Sequence, residues 1–155
     1  MASDRYTPVQ HRRDSDTAEF ILRGHPKVDH IAVMGQIPGR STGDIVTYTL
    51  LAKVAATKKW QPFLNEAAGD GTAIPQGIYV GPDILEADII AGDVTGLHVM
   101  LRDAEFRADW LVIEGGKTLD TIISNAPDIR AVEDYLTNLN LFARDVESRT
   151  KDENS

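Results

Sequence analysis

Between Ile45 and Val80 the apolar residues come in runs too short for a helix, each closed by a turn signal. Ile45–Val54 is rich in β-branched and aromatic residues and reads as a strand. Lys58-Lys59 turns it into Trp60–Leu64, a second strand with the aromatic-Pro-aromatic pattern Trp60-Gln61-Pro62-Phe63. The stretch Asn65–Tyr79 (NEAAGDGTAIPQGIY) then opens on a polar, glycine-rich turn at Ala67–Thr72 and runs into the strand Ile74–Val80. Pro75 falls at the start of that strand, where a missing N–H is tolerated. A chain punctuated this closely has little choice but a compact, turn-rich β structure.

The flanks agree. Val28–Met34 has the two-residue period of a strand, with Val28, His30 and Ala32 on one face and Asp29, Ile31 and Val33 on the other. Gln36–Gly43 is a loop, and Gly81–Asp93 a long acidic connection. Gly96–Leu101 is a strand that Ala104–Phe106 continues or bulges from, Asp109–Ile113 is a short apolar segment, and Lys117–Ile123 suits a helical turn. Pro127 and Asp128 mark a helix start. Asn138 and Asn140 favour ending that helix near 138, with 139–146 returning as a strand. The spacing Ile129, Val132, Leu136, Leu139, Ala143, Val146 also fits one helix to about 146. Strands do not alternate with helices, which disfavours a parallel α/β sheet. The expected fold is mainly β with one C-terminal helix (α+β), a small irregular β-barrel or β-sandwich with an extended N-terminal arm. Residues 1–18 form the arm, 19–146 a single β-rich domain, and 147–155 a charged tail.

Charge is unevenly distributed. Of a net −8, residues 1–30 contribute zero, 31–64 +3 and 65–155 −11. An acidic body lacking clustered Lys and Arg argues against direct nucleic-acid binding. No apolar run approaches the ~20 residues that span a bilayer, and the start MASDRYTPVQHRRDSD does not read as a signal peptide. With no Cys there is no disulfide framework, which fits synthesis in a reducing cytoplasm.

Candidate chemistry is thin. Glu114-Gly115-Gly116-Lys117-Thr118 ends like a P-loop, but Leu111 stands where the motif needs its first Gly. His25, Asp29 and His30 are weak metal ligands, since a strand would turn His25 and His30 to opposite faces, and His98 has no obvious partner. Asp83, Glu86, Asp88 and Asp93 lack the spacing of a calcium loop. Asp103, Glu105 and Asp109 beside Arg102 and Arg107 read as surface or intersubunit ion pairs. No Ser sits in a nucleophile elbow. The expectation is a protein that is not an enzyme, with no catalytic residue, metal or cofactor.

The order of motifs resembles the lambda-type head decoration protein family of tailed bacteriophages. The matching segments are His25-Pro26-Lys27-Val28, Gly43-Asp44-Ile45-Val46, Leu51-Ala52-Lys53, Trp60-Gln61-Pro62-Phe63, Ala67–Thr72, Ala73–Ile78, Val99–Phe106 and Ala131–Arg144. They span roughly residues 19–146. The family often has Gly before its last strand, where this chain has Asn138-Leu139-Asn140, and its 81–97 connection is long. The resemblance implies homotrimers bound to the major capsid protein on the outer surface of the virion, at three-fold and quasi-three-fold positions, holding the expanded head against DNA pressure. It implies an N-terminal arm that adds a strand to a capsid sheet, with Tyr6, Pro8, Arg12, Arg13, Phe20, Ile21 and Leu22 as candidate contacts. Trp60, Pro62, Phe63, Asp70, Gly71 and Gly77 are the family-motif residues, structural or interfacial. It implies no membrane partner. A phage tail or baseplate adaptor is an alternative, and a small metal-dependent hydrolase using the acidic loop with His98 a further one.

Overall fold

A computed structural model describes residues 19–65, 69–124 and 128–145. Ten short strands are present: β1 (Ile21–Arg23), β2 (Lys27–Met34), β3 (Leu50–Lys53), β4 (Trp60–Pro62), β5 (Gly77–Tyr79), β6 (Val94–Arg102), β7 (Ala104–Arg107), β8 (Ile122–Ile123), β9 (Arg130–Ala131) and β10 (Leu141–Arg144). They are accompanied by the short helices α1 (Glu86–Ala91) and α2 (Val132–Asn138). Strands β2-β4-β3-β5-β6 close a barrel, β1-β7-β10 form a second sheet, and β8 pairs with β9. The fold is the small β-barrel with a C-terminal helix anticipated from the sequence.

The short strands β3, β4 and β5 are buried on both faces, whereas β2 and β6 turn part of one face to solvent. Ala32, Met34, Leu51, Trp60, Tyr79, Leu97 and Val99 come from all five barrel strands and pack into one cluster with Ile84 and Ile89. That set fills the barrel interior. The alternate residues Leu50, Ile78 and Met100 join Phe20, Phe63, Ala104, Phe106, Val132, Leu136 and Leu141 in a second cluster. One barrel wall is therefore shared between two cores, its neighbouring side chains pointing to opposite faces as a strand requires. The chain passes between the sheets at Asp103, which takes φ 73°. Asn140, itself at φ 59°, accepts the Asp103 and Ala104 N–H groups at its carbonyl, 3.1 and 3.0 Å.

Closure of the barrel is narrow. The parallel β2–β4 seam rests on the single pair Met34–Trp60. Beside it the buried Gln61 amide donates to the Gly35 carbonyl, extending the seam by a side chain. Lys59 and Asp93 pair across the same place at 2.7 Å.

Several segments differ from the sequence-based expectation. Ile45–Val54 is not one strand: Tyr48 at φ 72° turns it, leaving β3 and an isolated Ile45–Ile84 bridge. The carboxylate of Asp83 holds that turn by accepting the Thr47 N–H at 3.0 Å. Ile74 donates to Gly71 in a turn, so the strand expected from 74 starts at Gly77. The 81–93 connection contains α1, a helix where only a loop was expected. Residues 118–121 form a turn and 122–123 are strand, not helix. The C-terminal helix begins at Val132, because Arg130 and Ala131 first pair with β8. It ends at Asn138 and β10 follows, the second of the two expected alternatives.

Strand β2 departs from simple alternation. Asp29 faces Val99 and Ala32 faces Leu97, so His30 and Ile31 together oppose His98. This bulge turns His30 out to solvent, whereas alternation would place it with the buried Ala32.

Candidate functional site

The most heavily tied surface feature is the loop carrying Asp70 and Gly71. Asp70 Oδ1 accepts from the Thr72 N–H at 2.9 Å and the Thr72 hydroxyl at 2.7 Å, and Oδ2 pairs with Arg40 at 2.8 Å. Arg40 also donates to Thr72 Oγ1 at 3.1 Å. The backbone extends the knot: Ala55 N–H donates to the Asp70 carbonyl at 2.8 Å and Leu64 N–H to that of Thr72 at 2.9 Å. Partial burial pushes the Asp70 carboxyl up, but the Thr72 donors and the Arg40 guanidinium together hold it below the usual carboxylate range. The loop thus locks the β3–β4 turn, the end of β4 and the Arg40 loop to one another. Arg40 was not recognisable from the sequence, because its partner lies thirty positions away.

Glycine is required at two of the motif positions. Gly71 has φ 98°, and a Cβ there would lie 2.5 Å from the Lys53 carbonyl oxygen. At Gly77 a Cβ would come within 2.6 Å of Val99 Cγ1 and 3.1 Å of Trp60 Cη2, so Gly77 is where the Trp60 ring fits inside the barrel. Of the remaining motif residues, Pro62 ends β4 buried and Phe63 belongs to the outer core. Trp60 and Gly77 therefore come together, Asp70 and Gly71 form the knot, and Phe63 stands apart from both.

Of the acidic candidates, Asp83 and Glu86 serve as loop anchors. Glu86 Oε2 accepts the Ser41 hydroxyl at 2.5 Å and the N–H groups of Thr42 and Gly43 at 3.1 and 3.2 Å. Those bonds, the Ser41 one foremost, hold its carboxyl below the ordinary value. Asp44 returns the contact by accepting the Glu86 N–H at 2.8 Å. Asp83 Oδ1 takes both the N–H and the hydroxyl of Thr47. Burial together with the Asp83 charge pushes the neighbouring Tyr79 phenol upward, and its hydroxyl donates to the Pro82 carbonyl. Asp93 is in the Lys59 pair. Arg107 and Asp109 lie 3.4 Å apart, and Arg102 pairs loosely with Asp103 at 3.8 Å. Among the described residues no three His, Asp or Glu side chains converge as metal ligands.

A shallow cleft of about 180 Å³ lies between Ser41–Gly43, Gln61–Pro62, Leu64 and Glu114–Gly115. Burial raises the Glu114 carboxyl there. No helix among the described residues is long and apolar enough to cross a membrane.

The outside offers surface for binding. Ile31, Ile129, Ile90 and Ile122 are 83%, 73%, 56% and 54% exposed. Ile122 lies on the β8–β9 ribbon and Ile129 directly precedes β9, so these two share one region. β1 and β10 are the edges of the three-stranded sheet. Of the residues anticipated as capsid contacts, Tyr6, Pro8, Arg12 and Arg13 lie outside the described residues. Ile21 and Leu22 are half-buried on β1. Phe20 is fully buried, stacked on Tyr48 at 4.1 Å and tilted against Phe106 at 5.3 Å, so it anchors the body.

No family model matches the chain, and no curated protein matches it significantly.

Proposed function

We propose that the protein is a virion structural protein that binds the outer surface of the expanded head of a tailed phage. It would bind as trimers at three-fold and quasi-three-fold positions and stabilise the head against DNA pressure. The reading rests on the resemblance in motif order, and one structural observation supports it. The conspicuous polar and glycine residues are spent on holding the frame: Asp70, Asp83 and Glu86 anchor loops, while Gly71 and Gly77 permit close packing. Sheet edges and a few exposed isoleucines remain outward, which suit a protein partner better than a small substrate. The arm reading draws further support from β1, an edge strand that begins at Ile21, shortly after residues 1–18, and is fastened to the core by Phe20.

The full chain, mixed with purified expanded heads, should co-sediment and decorate three-fold positions seen by electron microscopy. In solution its mass distinguishes a trimer from a monomer that assembles on the shell. Removing residues 1–18 should weaken decoration while leaving the folded body unchanged by circular dichroism. Heads that remain bare with the full chain would refute the proposal, and labelling confined to tails would favour an adaptor role.

A further inference from the structure

The bulge in β2 has brought two histidines together on the outside of the barrel. His30 and His98 sit on adjacent antiparallel strands, both exposed, with ring centroids 4.7 Å apart and planes at 84°. The arrangement is held by more than the rings. Asp29 Oδ1 accepts the Ile31 N–H at 3.0 Å, fixing the extra residue of the bulge. The flanking Ala32, Leu97 and Val99 are buried in the barrel interior, which fixes the strands beneath.

We propose that His30 and His98 form a binding site for a borderline divalent cation, of the class Zn²⁺, Cu²⁺ or Ni²⁺. The chemistry is imidazole nitrogen, which these ions prefer over oxygen-seeking Mg²⁺ or Ca²⁺. The geometry agrees. With metal–nitrogen distances near ~2.1 Å and a tetrahedral angle, two coordinating imidazoles place their centroids about 5 Å apart. The observed separation is close to that, so coordination needs side-chain rotation rather than backbone movement. The edge-to-face rings must turn until a nitrogen of each points at the ion, which exposed side chains do at small cost. The two rings supply two of the tetrahedral positions and water completes the shell. Because each ligand comes from a different strand, the bound ion ties β2 to β6 across the bulge. Such binding is lost as pH falls, since the imidazoles must be unprotonated to coordinate.

The test is titration of the full chain with ZnCl₂ and CuCl₂, followed by calorimetry and by ¹H NMR of the histidine ring protons. One ion per chain should bind, broadening or shifting the His30 and His98 signals and raising Tm by mass action. His30→Ala and His98→Ala should each weaken binding by about tenfold or more, as expected for losing one of two ligands. Both side chains are exposed, so the variants should fold, which circular dichroism checks. His25→Ala should leave affinity unchanged. MgCl₂ should produce no shift. Absence of stoichiometric Zn²⁺ and Cu²⁺ binding, or equal binding by the His30→Ala/His98→Ala double variant, would overturn the assignment. Neither result bears on whether the protein decorates heads.

Discussion

Gly69 and Gly71 form a paired test of why the Asp70 loop has its sequence. Both have positive φ, 82° and 98°. Nothing lies within 4 Å of a Cβ added at Gly69. Gly69→Ala therefore incurs only the left-handed backbone cost of about 1–2 kcal/mol, reduced by the smaller entropy of the unfolded variant, about 0.4–1 kcal/mol. The net loss should be about 1 kcal/mol or less. Gly71→Ala incurs the same backbone cost and also meets two backbone atoms, the Lys53 oxygen at 2.5 Å and the Ala55 nitrogen at 3.0 Å. Backbone cannot rotate away as a side-chain tip can. Relief requires the loop to move outward, and that breaks the Ala55–Asp70 and Leu64–Thr72 bonds, 2.8 and 2.9 Å. At about 1 kcal/mol each, those losses bring the total to about 2–3 kcal/mol. Against a typical stability of about 5–15 kcal/mol this is a large fraction. Urea unfolding followed by circular dichroism reads both variants, with unchanged slopes confirming a common two-state transition. A difference between the two variants below about 1 kcal/mol would refute the claim that close backbone approach, rather than φ alone, dictates Gly71.

Three further outcomes follow from the packing and charge of the body. Phe20→Ala should cost about 3–5 kcal/mol in urea unfolding, since Phe20 is fully buried between Tyr48 and Phe106; a negligible effect would mean that Phe20 belongs to the arm instead. The depressed Asp70 carboxyl contributes stability that is present above its unfolded value and lost as pH falls below about 4. Asp70→Asn should thus be less stable than wild type at pH 7 and converge with it in strong acid, and a constant gap down the pH scale in thermal melts would count against the ion pair. Gln61→Leu removes the donor to Gly35 at the barrel seam and should lose about 1–3 kcal/mol, with hydrogen exchange accelerating first at Met34–Gln36; uniform exchange would show that the seam does not depend on that amide.

The β character of the chain was legible because it is local. Trp60–Pro62 and Gly77–Tyr79 fall within runs whose composition and turn signals already mark them as strands, and Val94–Arg102 contains the strand expected at 96–101. The end of α2 at Asn138 was legible for the same reason, since an Asn can leave a helix in the left-handed conformation that Asn140 adopts. The start of α2 was not, because pairing of Ile122–Ile123 with Arg130–Ala131 outcompetes the local preference for helix. The 45–54 run looked like one strand because its residue types suit one. It is broken at Tyr48, which donates its N–H to the Tyr79 carbonyl at 2.7 Å, a partner no local pattern reveals.

Local sequence determined the β character of the chain, several of its strands and the end of its C-terminal helix, and the acidic balance of its charge. It did so because period, turn chemistry and charge are properties of near neighbours. Tertiary structure alone decided that one barrel wall serves two cores, that Asp83 and Glu86 are loop anchors, and that Arg40 meets Asp70. It also decided the fate of His30. An isolated strand would align it with Ala32, toward the interior. Pairing with β6 inserts one extra residue opposite His98, and a single-residue insertion exchanges the faces of a strand whose side chains alternate.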